Sequence, residues 1–156
     1  IMRANEIINT VNRGDASFHI IKENTGGVYI VYHGTPKHFD AFDDLERGTT
    51  NGNAPINMIG FNFTDNRDVA RTFGPNILKC KVTINHPLVI DAKGSNYSEF
   101  KHVLNDKLSK LDRPSQRAKY DGIIILNYAD SGIYGDEYIE SNHYVPFTKN
   151  QIEIID

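Results

Sequence analysis

Val28-Tyr29-Ile30-Val31-Tyr32-His33-Gly34-Thr35 is the stretch around which this chain is organised. An unbroken run of β-branched and aromatic residues reads as a buried strand, and it stops abruptly at a polar histidine and a glycine. Such a strand needs a sheet to pair with and a core to enter. Its end sets His33 and the bare backbone of Gly34 at a fixed sheet edge, where another molecule's polar group can approach main-chain N–H and C=O. Taken alone, His-Gly-Thr reads first as the ordinary turn at the end of a strand; two later segments change that reading.

On either side, the chain alternates short strand-like runs with a few helices. Ala4, Ile7, Ile8 and Val11 have helical spacing. Ser17 to Glu23 is strand-like and joins the Gly27 to Tyr32 run through Asn24-Thr25-Gly26-Gly27, which has hairpin chemistry. Periodicity vanishes from Pro36 to Asn57. Phe39 and Phe42 are spaced to tuck under that loop, and Gly48 to Pro55 reads as a lid-like segment. Gly60 to Thr64 is a short strand, and Thr64 or Asp65 is placed to cap a helix carrying Val69, Ala70 and Phe73 inward. Ile77 to Ile84 and Pro87 to Asp91 are extended. Tyr97, Phe100, Leu104, Leu108 and Leu111 make the strongest helical stripe, which is core packing. Ile123 to Leu126, His143 to Phe147 and Gln151 to Ile155 are further strands, with a polar stretch from Asn127 to Asn142. Many strands that mostly do not alternate with helices predict an α+β domain with antiparallel or mixed sheets, spanning 1–156 as one unit.

The composition narrows the function classes. The 156 residues are 39% hydrophobic and 24% charged, with a formal net charge of −3. That balance argues against a broad surface for nucleic acid or anionic membrane. The single cysteine, Cys80, lies in a strand-like run and reads as a buried structural thiol. No apolar segment is long enough to span a bilayer and the start carries no signal-peptide pattern, so the expected location is the cytoplasm. The opening Ile1-Met2 is compatible with a piece of a longer polypeptide. The six histidines lack His-x-x-x-His spacing, so no metal site is expected, and there is no Gly-x-Ser-x-Gly elbow.

Three segments in order carry a likeness to a known superfamily: Tyr32-His33-Gly34-Thr35, then Gly60-Phe61-Asn62-Phe63-Thr64-Asp65 with Ala70 and Phe73, then His143-Tyr144-Val145-Pro146-Phe147 with Gln151-Ile152. Asn85-His86-Pro87-Leu88 and Tyr120 to Ile124 fall in matching places. The pattern resembles the ADP-ribosyltransferases on their diphtheria-toxin and poly(ADP-ribose)-polymerase side, and most of all the small transferase domains of phage and mobile-element polyvalent proteins. The likeness runs from about residue 28 to the end.

The resemblance implies two packed, mostly antiparallel sheets forming a cleft for NAD⁺, the substrate. It assigns His33 to the adenosine ribose, Gly34 to the nicotinamide carboxamide and Phe73 to stacking on the nicotinamide ring. It brings Thr64 close to that ring and places Thr35 and Phe63 in the same NAD-binding motifs. Where the family carries a glutamate, this chain has His143. Breaking the nicotinamide–ribose bond builds positive charge on the ribose, and a preorganised carboxylate is worth roughly 3–4 kcal/mol there. A neutral imidazole brings no charge.

Three readings of His143 follow. It does a weaker version of the job; or a carboxylate of the preceding loop, Glu140 above all or Asp136 or Glu137, reaches in; or the domain binds NAD⁺ and turns over poorly. Asn62 stands where polymer-forming relatives carry tyrosine, so the implied activity is mono-ADP-ribosyl transfer to a protein acceptor in phage–host conflict, with a nucleic-acid acceptor left open. The alternatives are a weakened NAD-binding interaction module or an NAD glycohydrolase. The stretch Tyr128 to Asn142, with Tyr134 and Tyr138, occupies the place of the family's target-recognition loop and is equally a solvated connector.

Overall fold

The computed structural model describes residues 19–21, 26–37, 39–43, 60–111, 119–132 and 134–156. The helix expected over Ala4 to Val11 and the lid-like segment from Gly48 to Pro55 lie outside the described residues. In chain order the elements are β1 (His19–Ile21), β2 (Gly27–Thr35), β3 (Phe63–Thr64), α1 (Arg67–Arg71), β4 (Asn76–Ile84), β5 (Pro87–Asp91), α2 (Tyr97–Leu111), β6 (Gly122–Asp130), β7 (Ile139–Pro146), a 3₁₀ turn (Lys149–Gln151) and β8 (Ile152–Ile154). The strands form one eight-stranded sheet in the order β1-β5-β6-β7-β3-β2-β4-β8. Every ladder is antiparallel except β5–β6, which α2 connects as a crossover. The α+β expectation with a mixed sheet holds.

The expectation of two separate sheets needs correction. β3 hydrogen-bonds to both β7 and β2, at Phe63↔Tyr144, Thr64↔His143 and Tyr32↔Thr64, and so ties the halves into one ladder. What pack together are two halves of that sheet. Val31, Leu78, Cys80, Val82 and Ile84 of β2 and β4 share a buried cluster with Val89, Ile124 and Tyr144 of β5, β6 and β7. Strands that are distant in the ladder meet in one core only if the sheet folds over at β3. The other face of the β5–β6–β7 half, with Leu88, Ile90, Ile123, Ile125 and Val145, packs on Phe100, Leu104 and Leu108 of α2. The period of two thus sends alternate residues of β5, β6 and β7 into two different cores, which is why these strands read as continuous apolar runs. Each large side chain so buried stabilises the fold by about 1.5–3 kcal/mol.

Local chemistry explains the ends of the helices. Asn96 Oδ1 accepts from the Glu99 N–H at 3.1 Å while Glu99 Oε1 accepts from the Asn96 N–H at 3.0 Å, a reciprocal cap that starts α2. The cap of α1 is Asn66, whose Oδ1 takes the N–H groups of Asp68 and Val69 at 2.8 and 3.3 Å. Thr64 and Asp65, the expected caps, are drawn across to β7 instead: Asp65 Oδ1 accepts from the Asn142 N–H at 3.0 Å, and Thr64 bonds to Ser141. Among the described residues, no helix is long and apolar enough to cross a membrane.

β6 continues four residues past the expected Leu126 because Asn127, at φ 54°, makes a bulge that lets pairing resume at Tyr128↔Ser141. Gln151, part of the third motif, acts as a clasp. Its Oε1 accepts from the N–H of Phe147 and of Thr148 and from the Thr148 hydroxyl, and its Nε2 donates to the carbonyls of Thr83 and Asp121 at 3.0 and 2.7 Å. One amide therefore joins the ends of β4, β6 and β7. Replacing it with leucine leaves two carbonyls and two N–H groups without these partners, so Gln151→Leu should lower stability by about 2–4 kcal/mol in urea denaturation.

Candidate active site

At the seam where β2, β3 and β7 meet, a small, partly open hollow is lined by Tyr32, His33, Gly34, Asn62, Phe63, Thr64, Ala70, Phe73 and His143. Six of the eight residues expected at the site stand on its wall: His33, Gly34, Phe63, Thr64, Phe73 and His143. Thr35 is buried beside them, and its hydroxyl accepts the Lys37 N–H at 3.2 Å, closing the turn after β2. Glu140 is not brought in. It is exposed, its carboxylate lies beside Gly94, and the odd spacing to His143 sends it to the other face of β7. Asp136 and Glu137 are exposed too.

Gly34 is required by a close approach of helix to strand. A Cβ there would stand 1.7 Å from the Ala70 carbonyl oxygen of α1. The helix therefore sits directly on the strand end and brings the chain round to Phe73, whose N–H closes the turn onto Ala70. Across from Phe73, Gly132 of the β6–β7 connection comes as close to the ring, where a Cβ would meet Cδ1 at 2.8 Å. Thr72, which the motifs did not point to, fastens this connection: its Oγ1 accepts the Gly132 N–H at 2.7 Å and its carbonyl accepts the Tyr134 N–H at 2.9 Å. Tyr134 and Tyr138 on that connection are 58% and 59% exposed.

The two histidines are held by one residue. His33 Nδ1 lies 2.8 Å from the main-chain oxygen of Asn62, and a carbonyl only accepts, so Nδ1 carries the proton and Nε2 is left as an acceptor. Burial lowers the pKa of His33, and the Asn62 carbonyl opposes this only in part. Its ring packs against Phe42 and Phe63 at 5.2 and 5.4 Å between centroids, and Phe39 stands at 6.0 Å.

His143 Nδ1 lies 3.3 Å from Oδ1 of the same Asn62, while Nε2 faces Ser141 Oγ at 3.1 Å. Ser141 Oγ is 2.9 Å from Thr64 Oγ1, which accepts the Asn66 N–H at 3.1 Å. One proton direction satisfies every member: Asn66 to Thr64, Thr64 to Ser141, Ser141 to His143 Nε2, and His143 Nδ1 to Asn62. With His143 only 2% exposed, burial pushes its pKa down to about 3, so the ring is neutral.

The carboxylate near His143 is Asp130, at the end of β6. Its Oδ2 lies 3.8 Å from His143 Nε2 and its side chain is 15% exposed. Burial raises its pKa to about 6, with the Ser131 N–H pulling the other way. Ser141, His143 and Asp130 superficially suggest a nucleophile triad. Serine and aspartate both face the same ring nitrogen, however, so a relay from carboxylate through imidazole to hydroxyl is not built. Cys80 is buried, and burial pushes its thiol up to about 12, an inert structural group. No group of histidine, cysteine and carboxylate among the described residues is arranged to hold a metal.

A folded-over mixed sheet that presents a His-Gly strand end, a turn-borne aromatic and a late-strand histidine to one hollow defines an α+β transferase domain of the ADP-ribosyltransferase kind. Comparison with family models makes the assignment specific: residues 23–156 match the model described as ADP-ribosyltransferase in polyvalent proteins, and the chain belongs to that family. No match was found among curated proteins.

Two expectations follow from this geometry. Gly34→Ala drives a methyl group into the Ala70 carbonyl and should cost about 1–3 kcal/mol or more in denaturation, whereas Gly27→Ala, where a Cβ meets nothing closer than 4.0 Å, should change little.

The second concerns acid. The unfolded chain binds a proton on His143 near pH 6.5 and the folded chain only near 3, so stability falls as pH drops through that window, by about 1.4 kcal/mol per pH unit at most. Asp130 works in the opposite sense, its raised pKa costing stability as pH rises from its ordinary 3.8 to about 6. Denaturation of His143→Gln between pH 3 and 6.5 should therefore show a shallower acid loss than the unaltered protein.

Proposed function

We propose that this domain binds the nicotinamide end of NAD⁺ in the seam hollow, cleaves the nicotinamide–ribose bond and transfers one ADP-ribose unit to a protein. Membership of the family supports ADP-ribosyl transfer in general. The observation that carries the finer reading is that Gly34, Phe73 and His143, from three separate segments, line one hollow.

In this reading Phe73 stacks on the pyridinium ring, and the Gly34 main chain pairs with the carboxamide, which has both a donor and an acceptor to offer. His33, unprotonated at Nε2, accepts from a ribose hydroxyl. The C–N bond breaks with its electron pair going to the pyridine nitrogen, which leaves as neutral nicotinamide. The acceptor's nucleophile then bonds to the ribose carbon and gives up a proton. Asn62, in place of the tyrosine of polymer-forming relatives, and the absence of a glutamate at 143 support single-unit transfer.

A conflict between phage and host is the setting the family's polyvalent proteins suggest. One observation favours a second reading, a slow or binding-only module: among the described residues, no carboxylate lines the hollow.

Incubation with NAD⁺ labelled in its adenylate half, with and without host lysate, separates the outcomes. Release of nicotinamide with label on protein is the expected result. Release without labelled protein means glycohydrolase activity, and a thermal shift by NAD⁺ without release means a binding module. Phe73→Ala should raise KM for NAD⁺ roughly tenfold, the loss of about 1.4 kcal/mol expected for one ring stack.

A further inference from the structure

We infer that Asp130 is a positioning carboxylate for this site, supplying from behind His143 the negative charge that the wall of the hollow lacks. The inference rests on the proposed cleavage of the nicotinamide–ribose bond, which places a cation in the hollow.

Three features of the geometry carry it. Among the described residues, the lining of the hollow includes two histidines and no aspartate or glutamate. His143 is on that wall, and directly behind it Asp130 Oδ2 approaches Nε2 to 3.8 Å. This is beyond hydrogen-bond reach, because Ser141 Oγ already occupies that nitrogen at 3.1 Å, so Asp130 acts through its field and not through a bond. The carboxylate is also fixed in direction, its Oδ1 taking the Ser131 N–H at 2.9 Å.

Its surroundings leave the charge uncancelled. From β7 it faces His143, whose Nε2 the Ser141 hydroxyl also approaches. On its own strand it lies near the phenol of Tyr128, which Tyr97 of α2 and Tyr138 of the β6–β7 connection also approach. No lysine or arginine forms an ion pair with it among the described residues. Burial keeps the imidazole neutral, and the carboxyl ionises near pH 6. At neutral pH the pair therefore carries one negative charge in a poorly solvated place, one ring away from where positive charge develops.

The arrangement has a consequence for His143→Glu. A glutamate at 143 would stand against Asp130 in a poorly solvated place, and one of the two would hold a proton. Restoring the family's glutamate then helps only if the aspartate is neutralised as well.

The test uses the full chain and follows nicotinamide release from NAD⁺ between pH 5 and 8 for the unaltered protein, Asp130→Asn, Asp130→Glu, His143→Glu and the His143→Glu/Asp130→Asn pair. Asparagine keeps the acceptor for Ser131, so folding should survive. Its kcat should fall on the order of tenfold to a hundredfold, what a unit charge delivers across one ring at an effective dielectric near ~20. KM should stay within about twofold and the acid limb near pH 6 should disappear. Asp130→Glu should recover part of both. His143→Glu alone should be no faster than the unaltered protein, and the double variant faster than either single one.

Asp130→Asn with unaltered kcat and acid limb, or His143→Glu gaining as much alone as in the pair, overturns the inference. If the unaltered protein releases no nicotinamide, the functional reading fails separately. The His143 ring resonances then decide on Asp130: they should move near pH 6 in the unaltered protein and not in Asp130→Asn, and identical titrations overturn the inference.

Discussion

The arrangement of this site depends on one residue serving two histidines. Asn62 offers its main-chain oxygen to His33 on β2 and its side-chain oxygen to His143 on β7. Those strands belong to the two halves of the folded sheet, and the ladder between them is only the two residues of β3. A bridge so short has little pairing of its own, so its register depends on what is bonded at its ends. Asn62 at one end and Asp65 at the other, the latter exchanging bonds with Asn142, hold β3 in line. The same bonds that keep the sheet continuous thereby decide where the protons of both rings sit.

A second constraint is close approach. α1 has five residues, far fewer than an isolated helix needs to persist in water, so its place is set by what it touches. Gly34 lets its Ala70 carbonyl rest on the strand end, and Gly132 lets the β6–β7 connection press on Phe73 and on Thr72. The Thr72 hydroxyl both donates to Val69 at 2.6 Å and accepts from Gly132, so helix end and connection are one bonded unit. The aromatic on the wall of the hollow is thus fixed from both sides by glycines on different segments. A mobile connection carrying Tyr134 and Tyr138 would leave Phe73 without that backing.

The sheet was legible wherever an apolar run coincided with a strand: β2, β4, β5, the first half of β6 and β8 follow from pattern alone, and so does the α2 stripe. Polar strands hid. The second half of β6 and the start of β7 carry Asn127, Asp130, Glu140 and Asn142, and pairing there survives because a left-handed asparagine absorbs an extra residue. The folding-over at β3 was not legible either, since two residues have no period.

At the site, the order of the motifs led to His33, Gly34, Phe73 and His143, which do meet. Ser141, Thr72 and Asp130 were missed because each acts through a partner distant in sequence: Thr72 lies sixty positions from Gly132 and Thr64 seventy-seven from Ser141. The one available signal was parity. On a strand, Ser141 shares a face with His143, while Glu140 does not. Gln151 is the opposite case, a motif residue whose bonds are all spent on joining strand ends.

That distinction bears on how a histidine at 143 is to be understood. A simple loss of a catalytic glutamate would leave a gap, or a ring poorly matched to its surroundings. Here the ring is buried and bonded at both nitrogens, stands edge-on to Tyr128 at 4.9 Å, and heads a hydroxyl chain with one consistent proton direction. Ser141 and Asn62 suit an imidazole: an acceptor stands at one nitrogen and a hydroxyl that can donate at the other. The surroundings of position 143 therefore satisfy both nitrogens of the histidine. In the proposed reaction the negative charge comes from outside that shell, and Asp130, with Oδ2 3.8 Å from Nε2, is the carboxylate that stands beside it.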